Sequence, residues 1–144
     1  GVDKNWEVTD WKKAWHRSKV DAIVFPDEYS AIVIDYKSGK KFGNEVKHAE
    51  QTQLYALNAV LRYPKIETVT TELWYVDVKD LTSKTFTREQ ILRFKPGFDR
   101  RGRVMTSATE FPPNGNVFSC QWCMYGTRPD GTGSGHCTAG VWRK

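Results

Sequence analysis

The chain has 144 residues, of which 39% are hydrophobic and 27% are charged, as expected for one compact domain with its own core. This composition excludes collagen-like and disordered chains, and the net charge of +5 allows an anionic partner without requiring one. No apolar run reaches the roughly 20 residues of a membrane span, and no signal peptide opens the chain. We therefore expect a cytoplasmic protein without a membrane partner.

The first predicted elements are two strands. Residues 20–25 (VDAIVF) and 31–37 (AIVIDYK) are dense in β-branched side chains, which favour strands. Pro26 and Asp27 signal a turn between them, and the close spacing of the two runs predicts a β-hairpin. Residues 1–17 carry three tryptophans but no helical apolar stripe, so we expect an irregular or extended segment there.

A helix and a third strand are predicted after the hairpin. Apolar residues recur at spacings of three and four through residues 46–63, and the first Gly or Pro after them is Pro64, which predicts a helix. Residues 68–78 (TVTTELWYVDV) alternate and are rich in β-branched and aromatic side chains, a pattern typical of a strand. Thr87 and Gln90 form a capping-box pattern that opens a short helix. The order β-β-α-β-α predicts a mixed α/β domain.

Glycine and proline concentrate in the last third of the chain. From Gly97 onward we therefore expect loops that are held together by something other than a hydrophobic core. We assign residues 1–110 to the core domain and residues 111–144 to a loop-rich cysteine tail.

Two carboxylates and a lysine come together in the predicted hairpin. Asp35 and Lys37 are two residues apart in a strand and therefore face the same side, which Asp21 in the neighbouring strand can also reach. Two converging carboxylates repel each other unless a cation lies between them, and such hard oxygen ligands suit Mg²⁺ or Mn²⁺. A lysine beside the metal can orient or deprotonate water, or stabilise charge on a phosphate oxygen. Hydrolysis of a phosphodiester requires such a set.

A lone D-x-K at a strand end is more often part of a solvated strand edge than of a site. The order of three segments makes the functional interpretation more specific here, because residues 20–25, 31–40 (AIVIDYKSGK) and 51–57 (QTQLYAL) follow one another. Together they resemble the RecB-type branch of the PD-(D/E)XK nuclease superfamily, with phage-encoded and CRISPR-adaptation exonucleases as the best match. The resemblance covers residues 20–78.

The resemblance implies a restriction-endonuclease-like core, in which helices flank a mixed central sheet. It also implies Mg²⁺- or Mn²⁺-dependent cleavage of DNA, often as an exonuclease on single strands or strand ends. The family's metal-binding acids, catalytic lysine and Q-x-x-x-Y helix motif map onto Asp21 and Asp35, Lys37, and Gln51 and Tyr55.

The chain departs from that family before the first acid. Family members begin with helices that supply another metal-site Glu or His, whereas only about twenty residues precede Asp21 here. We therefore expect a chain that lacks these N-terminal helices, as a trimmed piece of a larger nuclease would. His16 is a candidate replacement for the missing ligand, although a lone histidine more often has a structural role.

Three cysteines lie in the tail, an odd number that argues against a disulfide framework. Cys120 and Cys123 form a C-x-x-C, and Cys137 follows a glycine-rich loop at residues 126–135. We expect the three sulfurs to converge on one metal that holds this loop. The nucleases that the chain resembles often join three such cysteines to a fourth far upstream in a [4Fe–4S] cluster. A zinc ion with His136 or water as fourth ligand, or three free thiols, are the alternatives.

A basic segment with interleaved phenylalanines follows the predicted short helix. Its cations can contact phosphates and its rings can stack on bases, although a run of charges is more often a solvated face. We favour nucleic-acid contact because the predicted site already requires such a substrate. The residues are Arg93, Lys95, Arg100, Arg101 and Arg103.

The predicted function is a divalent-metal-dependent deoxyribonuclease, expected to be an exonuclease. In this interpretation the carbonyl of Tyr36 is a further metal ligand, and Lys37 activates or orients the attacking water. Gln51 and Tyr55 position that lysine or the scissile strand. The alternative is a non-catalytic, metal-stapled module on a nuclease scaffold, which would bind nucleic acid without needing a divalent ion.

Overall fold

The computed structural model describes residues 1–38, 43, 45–126, 133–137 and 139–141. Parts of two predictions lie outside the described residues, namely the end of the AIVIDYKSGK segment and most of the glycine-rich loop at 126–135. The chain divides into two compact units, Gly1–Val104 and Met105–Lys144. In the described part of the chain, no helix is long and apolar enough to cross a bilayer.

Four strands form one mixed sheet in the first unit. The first two strands pair antiparallel, the middle two pair parallel, and the last two pair antiparallel, in the spatial order of the sequence. This arrangement confirms the predicted mixed α/β class. The strands are β1 (Ala22–Val24), β2 (Ser30–Lys37), β3 (Thr68–Tyr75) and β4 (Asp80–Thr87).

The parallel pair is connected by helix α1 (Glu45–Arg62), which packs on β2 and β3. Its buried stripe includes Leu57 and Val60, and these side chains lie in one core cluster with Val33 and Val69 of the sheet. The helix ends just before Pro64, because proline cannot continue the backbone ladder. A helix that bridges two parallel strands starts near the carboxyl end of the first, so α1 begins close to the end of β2.

The end of the first unit differs from the sequence prediction. Helix α2 (Arg88–Leu92) has the predicted capping box, but helix α3 (Lys95–Ser107) occupies residues that we expected to be loops. Pro96 is compatible with α3 because the first helical turn needs no proline N–H. Gly102 is explained by packing, since a Cβ atom there would clash with the ring of Trp15.

Strand β4 was also missed by the sequence prediction. Of its eight residues only Phe86 is buried, because β4 is an edge strand and α1 packs on the two central strands. An edge strand with solvent on most of its surface lacks the apolar alternation on which the prediction depended. Its threonines were the available signal.

The first seventeen residues are irregular, as predicted, with isolated bridges that join Val2 to Val8 and to His16. Trp6 is buried and contacts Trp15 edge to face. In the second unit, helix α4 (Val117–Cys120) was not predicted.

Candidate active site

The sheet brings the predicted acids and lysine to one end of β2. In the register of the first hairpin Ala22 opposes Ile34, so Asp21 lies one step further along, opposite Asp35. The two acids are tied through the backbone, because the amide of Tyr36 donates a 2.8 Å hydrogen bond to Asp21 Oδ2. Asp21 therefore stands beside the D-x-K pair, as the hairpin predicted.

Four side chains form a closed ring next to Asp21. Lys37 Nζ lies 2.6 Å from Asp35 Oδ2 and donates a 2.5 Å hydrogen bond to Gln51 Oε1. Gln51 Nε2 in turn donates to Tyr55 Oη at 2.6 Å, and Tyr55 Oη donates to Asp35 Oδ1 at 3.2 Å. The ring thus closes on the carboxylate of Asp35, where Lys37 contacts one oxygen and Tyr55 contacts the other.

Helix α1 supplies half of the four-residue ring because Gln51 and Tyr55 are four residues apart. Side chains at that spacing are neighbours on one helix face, and α1 directs this face toward the end of β2. The strand supplies the other half, since Asp35 and Lys37 share a face of β2. The ring therefore needs only one contact, between α1 and β2, to form.

Burial strengthens the electrostatics of the four-residue ring. Asp35 is 6% exposed, and a low local dielectric makes each charged contact stronger than it is in water. Burial is the largest cause that raises the pKa of Tyr55, and repulsion by the Asp35 carboxylate adds to it. The Tyr55 hydroxyl therefore stays protonated at neutral pH and acts as a donor.

The donor set at the end of β2 fits Mg²⁺ or Mn²⁺. Asp35 Oδ2 is buried, and its contact among the described residues is the Lys37 ammonium at 2.6 Å. A buried carboxylate oxygen with unused lone pairs favours a further cation. Asp21 and the Tyr36 carbonyl add the hard oxygen ligands that these ions prefer.

His16 lies in a different cluster on the same face of α1. Its Nε2 is 2.9 Å from Ser18 Oγ, and Asn58 Nδ2 donates a 3.0 Å hydrogen bond to that oxygen. Burial lowers the pKa of His16, which keeps the ring neutral at pH 7. Among the described residues no three His, Cys, Asp or Glu side chains form a group that could hold a metal, so His16 does not complete the predicted metal site.

The same result applies to the cysteine tail. Cys120, Cys123, Cys137 and His136 are all described, and the structure does not assemble them into a metal group. Backbone hydrogen bonds order this region, including one from the Cys137 amide to the Tyr125 carbonyl at 2.7 Å. Among the described residues the three cysteines thus form no metal-binding group.

The predicted basic segment lies on α2, α3 and the turn between them, and three of its arginines are paired with acids. Arg93 pairs with Glu89, Arg101 Nη1 lies 3.0 Å from Glu50 Oε2, and Arg103 Nε lies 2.8 Å from Asp99 Oδ2. Within the part of the chain that the structure describes, the two remaining cations make no ion pair. These are Lys95 and Arg100.

Arg93, Arg100 and Arg101 also line a cavity of about 320 Å³ that reaches Gln53 on α1. At 3.6 residues per turn Gln53 lies on the side of α1 away from Gln51 and Tyr55. The basic segment therefore flanks a different side of α1 from the four-residue ring.

The sequence analysis missed a histidine beside the four-residue ring. His48 Nδ1 lies 2.7 Å from the hydroxyl of Tyr75, and Tyr75 is the direct partner of Lys37 in the parallel register. The available signal was its spacing, since His48 precedes Gln51 by three residues and so lies on the same face of α1.

A family model described as the PD-(D/E)XK nuclease superfamily matches residues 17–128. No curated protein sequence matches the chain. A solved structure titled "Crystal structure of SSO0001" is similar at 17% identity and a TM-score of 0.37, over 80% of this chain and 50% of that one. The chain thus spans about half the length of that structure.

Proposed function

From the premise that this chain belongs to the PD-(D/E)XK nuclease superfamily, we propose that it is a divalent-metal-dependent deoxyribonuclease that acts as an exonuclease. Superfamily members are usually metal-dependent nucleases that use Mg²⁺ or Mn²⁺, so a nucleic-acid substrate follows from membership. DNA as that substrate, and attack from a strand end, are the finer parts of the proposal.

The observation that carries the proposal is the four-residue ring beside Asp21. Its lysine is held between a carboxylate and an amide oxygen, at 2.6 Å and 2.5 Å. A purely structural pair would gain little from this arrangement, because partly buried ion pairs stabilise a fold weakly once desolvation is counted. A preorganised cation next to two acids is what transfer at a phosphate requires.

Each residue has a distinct role in the proposed reaction. Asp21 and Asp35 would hold Mg²⁺ or Mn²⁺, with the Tyr36 carbonyl as a further ligand, and the bound ion supplies Lewis-acid stabilisation of phosphate charge. Lys37 orients the attacking water or stabilises charge that develops on a phosphate oxygen. Gln51 and Tyr55 act by positioning these groups.

Gln51 and Tyr55 are positioning residues. Gln51 accepts a hydrogen bond from the Lys37 ammonium at its Oε1 and donates one from its Nε2 to the Tyr55 hydroxyl. The Tyr55 hydroxyl then holds Asp35 Oδ1, while Oδ2 faces the Lys37 ammonium and keeps a lone pair for a metal ion. The Q-x-x-x-Y spacing of these two residues is also the support for the finer assignment to the RecB-type branch, for which phage-encoded and CRISPR-adaptation exonucleases are the model.

Asp35→Asn tests the proposal most directly. The substitution removes ligand charge without changing volume, so we expect Mg²⁺-dependent cleavage of a labelled oligonucleotide to fall by at least about 10³-fold, as loss of a whole metal-dependent step implies. Asp10→Asn is the matched control, since Asp10 is exposed and bonds only to a local amide. Equal activity of the two variants would refute the site.

Substrate choice is tested with the unmodified protein. Circular and linear single strands of the same sequence separate attack inside a strand from attack at an end, because a circle has no end. DNA and RNA of matched sequence test the sugar, and labels at either terminus give the polarity. Cleavage of the circle would overturn the exonuclease assignment while leaving the nuclease assignment in place.

A second candidate function is a nucleic-acid-binding module that does not cleave. It is favoured by one observation, that no third acid or histidine joins Asp21 and Asp35 among the described residues. Such a module would bind DNA equally well with Mg²⁺ or with a chelator. Binding that needs no divalent ion, together with no detectable cleavage, would select this candidate.

A metal in the tail is supported by the C-x-x-C spacing of Cys120 and Cys123 alone. An iron–sulfur cluster would give visible absorption and several irons per chain, and zinc would give about one ion per chain. Protein prepared without oxygen should be analysed for both metals. Full reactivity of all three thiols with a thiol reagent would reject both.

A further inference from the structure

The cavity beside the basic segment, about 320 Å³ in volume, is rich in guanidinium groups. Arg93, Arg100 and Arg101 line it, together with Gln53 of α1 and Gly97 of α3. The described residues that line it include no acid. Pockets that bind small ligands have volumes from about 300 Å³ upward, so the cavity has room for one. We call it the arginine cavity.

The first turn of α3 adds positive character to the arginine cavity. This helix begins at Lys95 without an acid in its first turn, and a helix N-terminus carries a partial positive charge. Gly97 of this turn lines the cavity, and a Cβ atom there would meet nothing within 4 Å. The main chain of the turn is therefore open to a ligand in the cavity.

The carboxylates beside the arginine cavity do not neutralise it. Glu89 pairs with Arg93 and Glu50 pairs with Arg101, but a guanidinium has five N–H donors and one carboxylate uses only some of them. Arg100 forms no ion pair within the described parts of the chain. Among the three arginines it is therefore the one whose charge no described acid offsets.

Asp99 precedes Arg100 in α3 but is held by other groups. Its Oδ1 accepts a 3.0 Å hydrogen bond from Trp6 Nε1, and its Oδ2 lies 2.8 Å from Arg103 Nε. Neither of these partners lines the arginine cavity. Asp99 therefore leaves the donors of Arg100 to a ligand.

Guanidinium groups are well suited to phosphate. Their planar forks match the spacing of two phosphate oxygens and donate to both at once. A terminal phosphate group has three such oxygens and a charge of about −1.5 to −2 at pH 7, so several guanidiniums can share it. A phosphodiester within a strand presents only a single charge to the same donors. The arginine cavity therefore suits a terminal phosphate group better.

Exposed acids beside the arginine cavity also favour a small ligand over a strand. The Glu89 side chain is 78% exposed and the Glu50 side chain is 50% exposed. Each would repel the neighbouring phosphates of a long polyanion, whereas a single phosphate group can contact the guanidiniums alone. The strand contact that the sequence favoured is therefore the weaker interpretation of this cavity.

We propose that the arginine cavity binds a dianionic phosphate group, carried by inorganic phosphate or by a mononucleotide, with Arg100 as a direct contact. The inference goes beyond the proposed function and does not rest on it, because Gln53 places the cavity on a different side of α1 from the four-residue ring. Hydrolysis of a phosphodiester leaves a phosphate monoester. The ligand thus belongs to the class of group that the proposed reaction produces.

Calorimetry with three small probes tests the inference. In metal-free buffer of low ionic strength, inorganic phosphate and thymidine monophosphate should bind, and thymidine should not. Omitting metal keeps phosphate from binding through an ion at Asp21 and Asp35. Arg100→Gln should weaken phosphate binding about tenfold, as loss of a charged hydrogen bond does. The control is Lys65→Gln, which removes an exposed cation outside the cavity and should leave the affinity unchanged.

Gly97→Val tests the position of the ligand without changing any charge. A Cβ atom there has free space, so we expect the fold to accept the side chain and the melting temperature not to fall. The valine would occupy part of the arginine cavity and should lower phosphate affinity by about tenfold or more. Unchanged affinity would place the anion elsewhere and overturn the inference.

Three further results would overturn the inference. Thymidine that binds as tightly as thymidine monophosphate would show that the phosphate contributes nothing. Loss of phosphate affinity in Lys37→Ala, but not in Arg100→Gln, would place the anion at the four-residue ring. An oligothymidine without a terminal phosphate that binds more tightly than thymidine monophosphate, and loses this gain in Arg100→Gln, would show that the cavity binds a strand.

The two phosphate probes identify the source of the group if the inference holds. Equal affinity for inorganic phosphate and thymidine monophosphate would assign the cavity to phosphate alone, whereas tighter binding of thymidine monophosphate would assign it to a mononucleotide. Cleavage enters none of these measurements. Failure of the proposed nuclease activity would therefore leave the inference standing, and failure of the inference would leave the nuclease standing.

Discussion

Two polar clusters lie along one face of α1, and one of the two contains an ion pair. The four-residue ring meets the helix at Gln51 and Tyr55, and the second cluster joins Asn58 to Ser18 and His16. We call the second one the neutral cluster. The two are a single helical turn apart, so the backbone of α1 presents both in the same way.

The two clusters differ in charge and in the hydrogen-bond partners of their buried polar atoms. In the neutral cluster, Asn58 donates to Ser18, whose hydroxyl proton is then available for His16, and burial keeps that imidazole uncharged. The four-residue ring contains an ion pair, in which Asp35 Oδ2 contacts the Lys37 ammonium. A neutral hydrogen-bonded network fixes a fold, whereas a carboxylate with one contact on each oxygen still has lone pairs that can bind a metal ion.

The largest effect that tests this contrast is expected for Lys37→Ala. Removing a preorganised cation from a phosphoryl site commonly costs 10²–10⁴-fold in rate, and we expect a loss in that range. Mn²⁺ affinity, measured by calorimetry, should change little because both carboxylates stay in place. If metal affinity fell in proportion to the rate, Lys37 would only be holding the shape of the site.

Tyr55→Phe comes next in size. It removes a hydrogen bond to a charged acceptor, and these contribute about 1.5–3 kcal/mol. Because the hydrogen bond to Asp35 is long, at 3.2 Å, we expect the free energy of unfolding to fall by about 1.5 kcal/mol, the lower end of that range. Urea unfolding measures it, and the tyrosine control is Tyr63→Phe, whose side chain is exposed.

Tyr55 also has a signature at high pH. Because its pKa is raised above 10.0 in the folded state, the unfolded chain loses that proton first as the pH rises past 10. The free energy of unfolding should therefore fall above pH 10 and be independent of Tyr55 below it. Tyr55→Phe should show a shallower fall than the unmodified protein, and parallel curves would contradict the assigned environment.

The four-residue ring could be predicted from sequence because its parts are local. Asp35 with Lys37, and Gln51 with Tyr55, each belong to one regular element, so spacing puts the members of each pair on one face. The resemblance to the nuclease family implied that the two pairs belong to one site. The partners of the basic segment could not be predicted, since Glu50 reaches Arg101 only after α1 and α3 pack. Sequence shows where cations are but not which of them are neutralised.

The other failures share that cause. Spacing could not decide whether the three cysteines meet, because the segment between Cys123 and Cys137 has no repeat period. Helix α3 contains Gly102 because of Trp15, a residue far away in sequence. The spacing of side chains within β2 and α1 was predicted correctly, whereas β4, α3 and α4 were missed.

Asn58→Ala is expected to act on stability only. It breaks the hydrogen bond to Ser18 and the one to the Leu54 carbonyl, which amounts to about 1 kcal/mol for a neutral cluster. The cleavage rate should stay within about twofold of the unmodified protein, because no charged group of the four-residue ring loses a contact. A rate loss like that of Lys37→Ala would show that the two clusters act as one.

The smallest effect concerns His16 and acid. Its folded pKa lies below the ordinary 6.5, so the unfolded chain binds the proton first as the pH falls below that value. The free energy of unfolding should therefore decrease from pH 7 toward about pH 5, and His16→Asn should flatten part of that decrease. Identical acid slopes for both proteins would place the imidazole in solvent instead.

Strand β4 has a consequence for how the molecule behaves at high concentration. It is an edge of the sheet in the described part of the chain, and an open edge invites pairing with the edge of another molecule. Seven of its eight residues are exposed, and Lys84 stands in the middle of the strand. Adding a strand there would desolvate that ammonium group, so the lysine protects the edge against self-association. The polar character that hid β4 from the sequence analysis is thus the property that keeps the sheet from growing into aggregates.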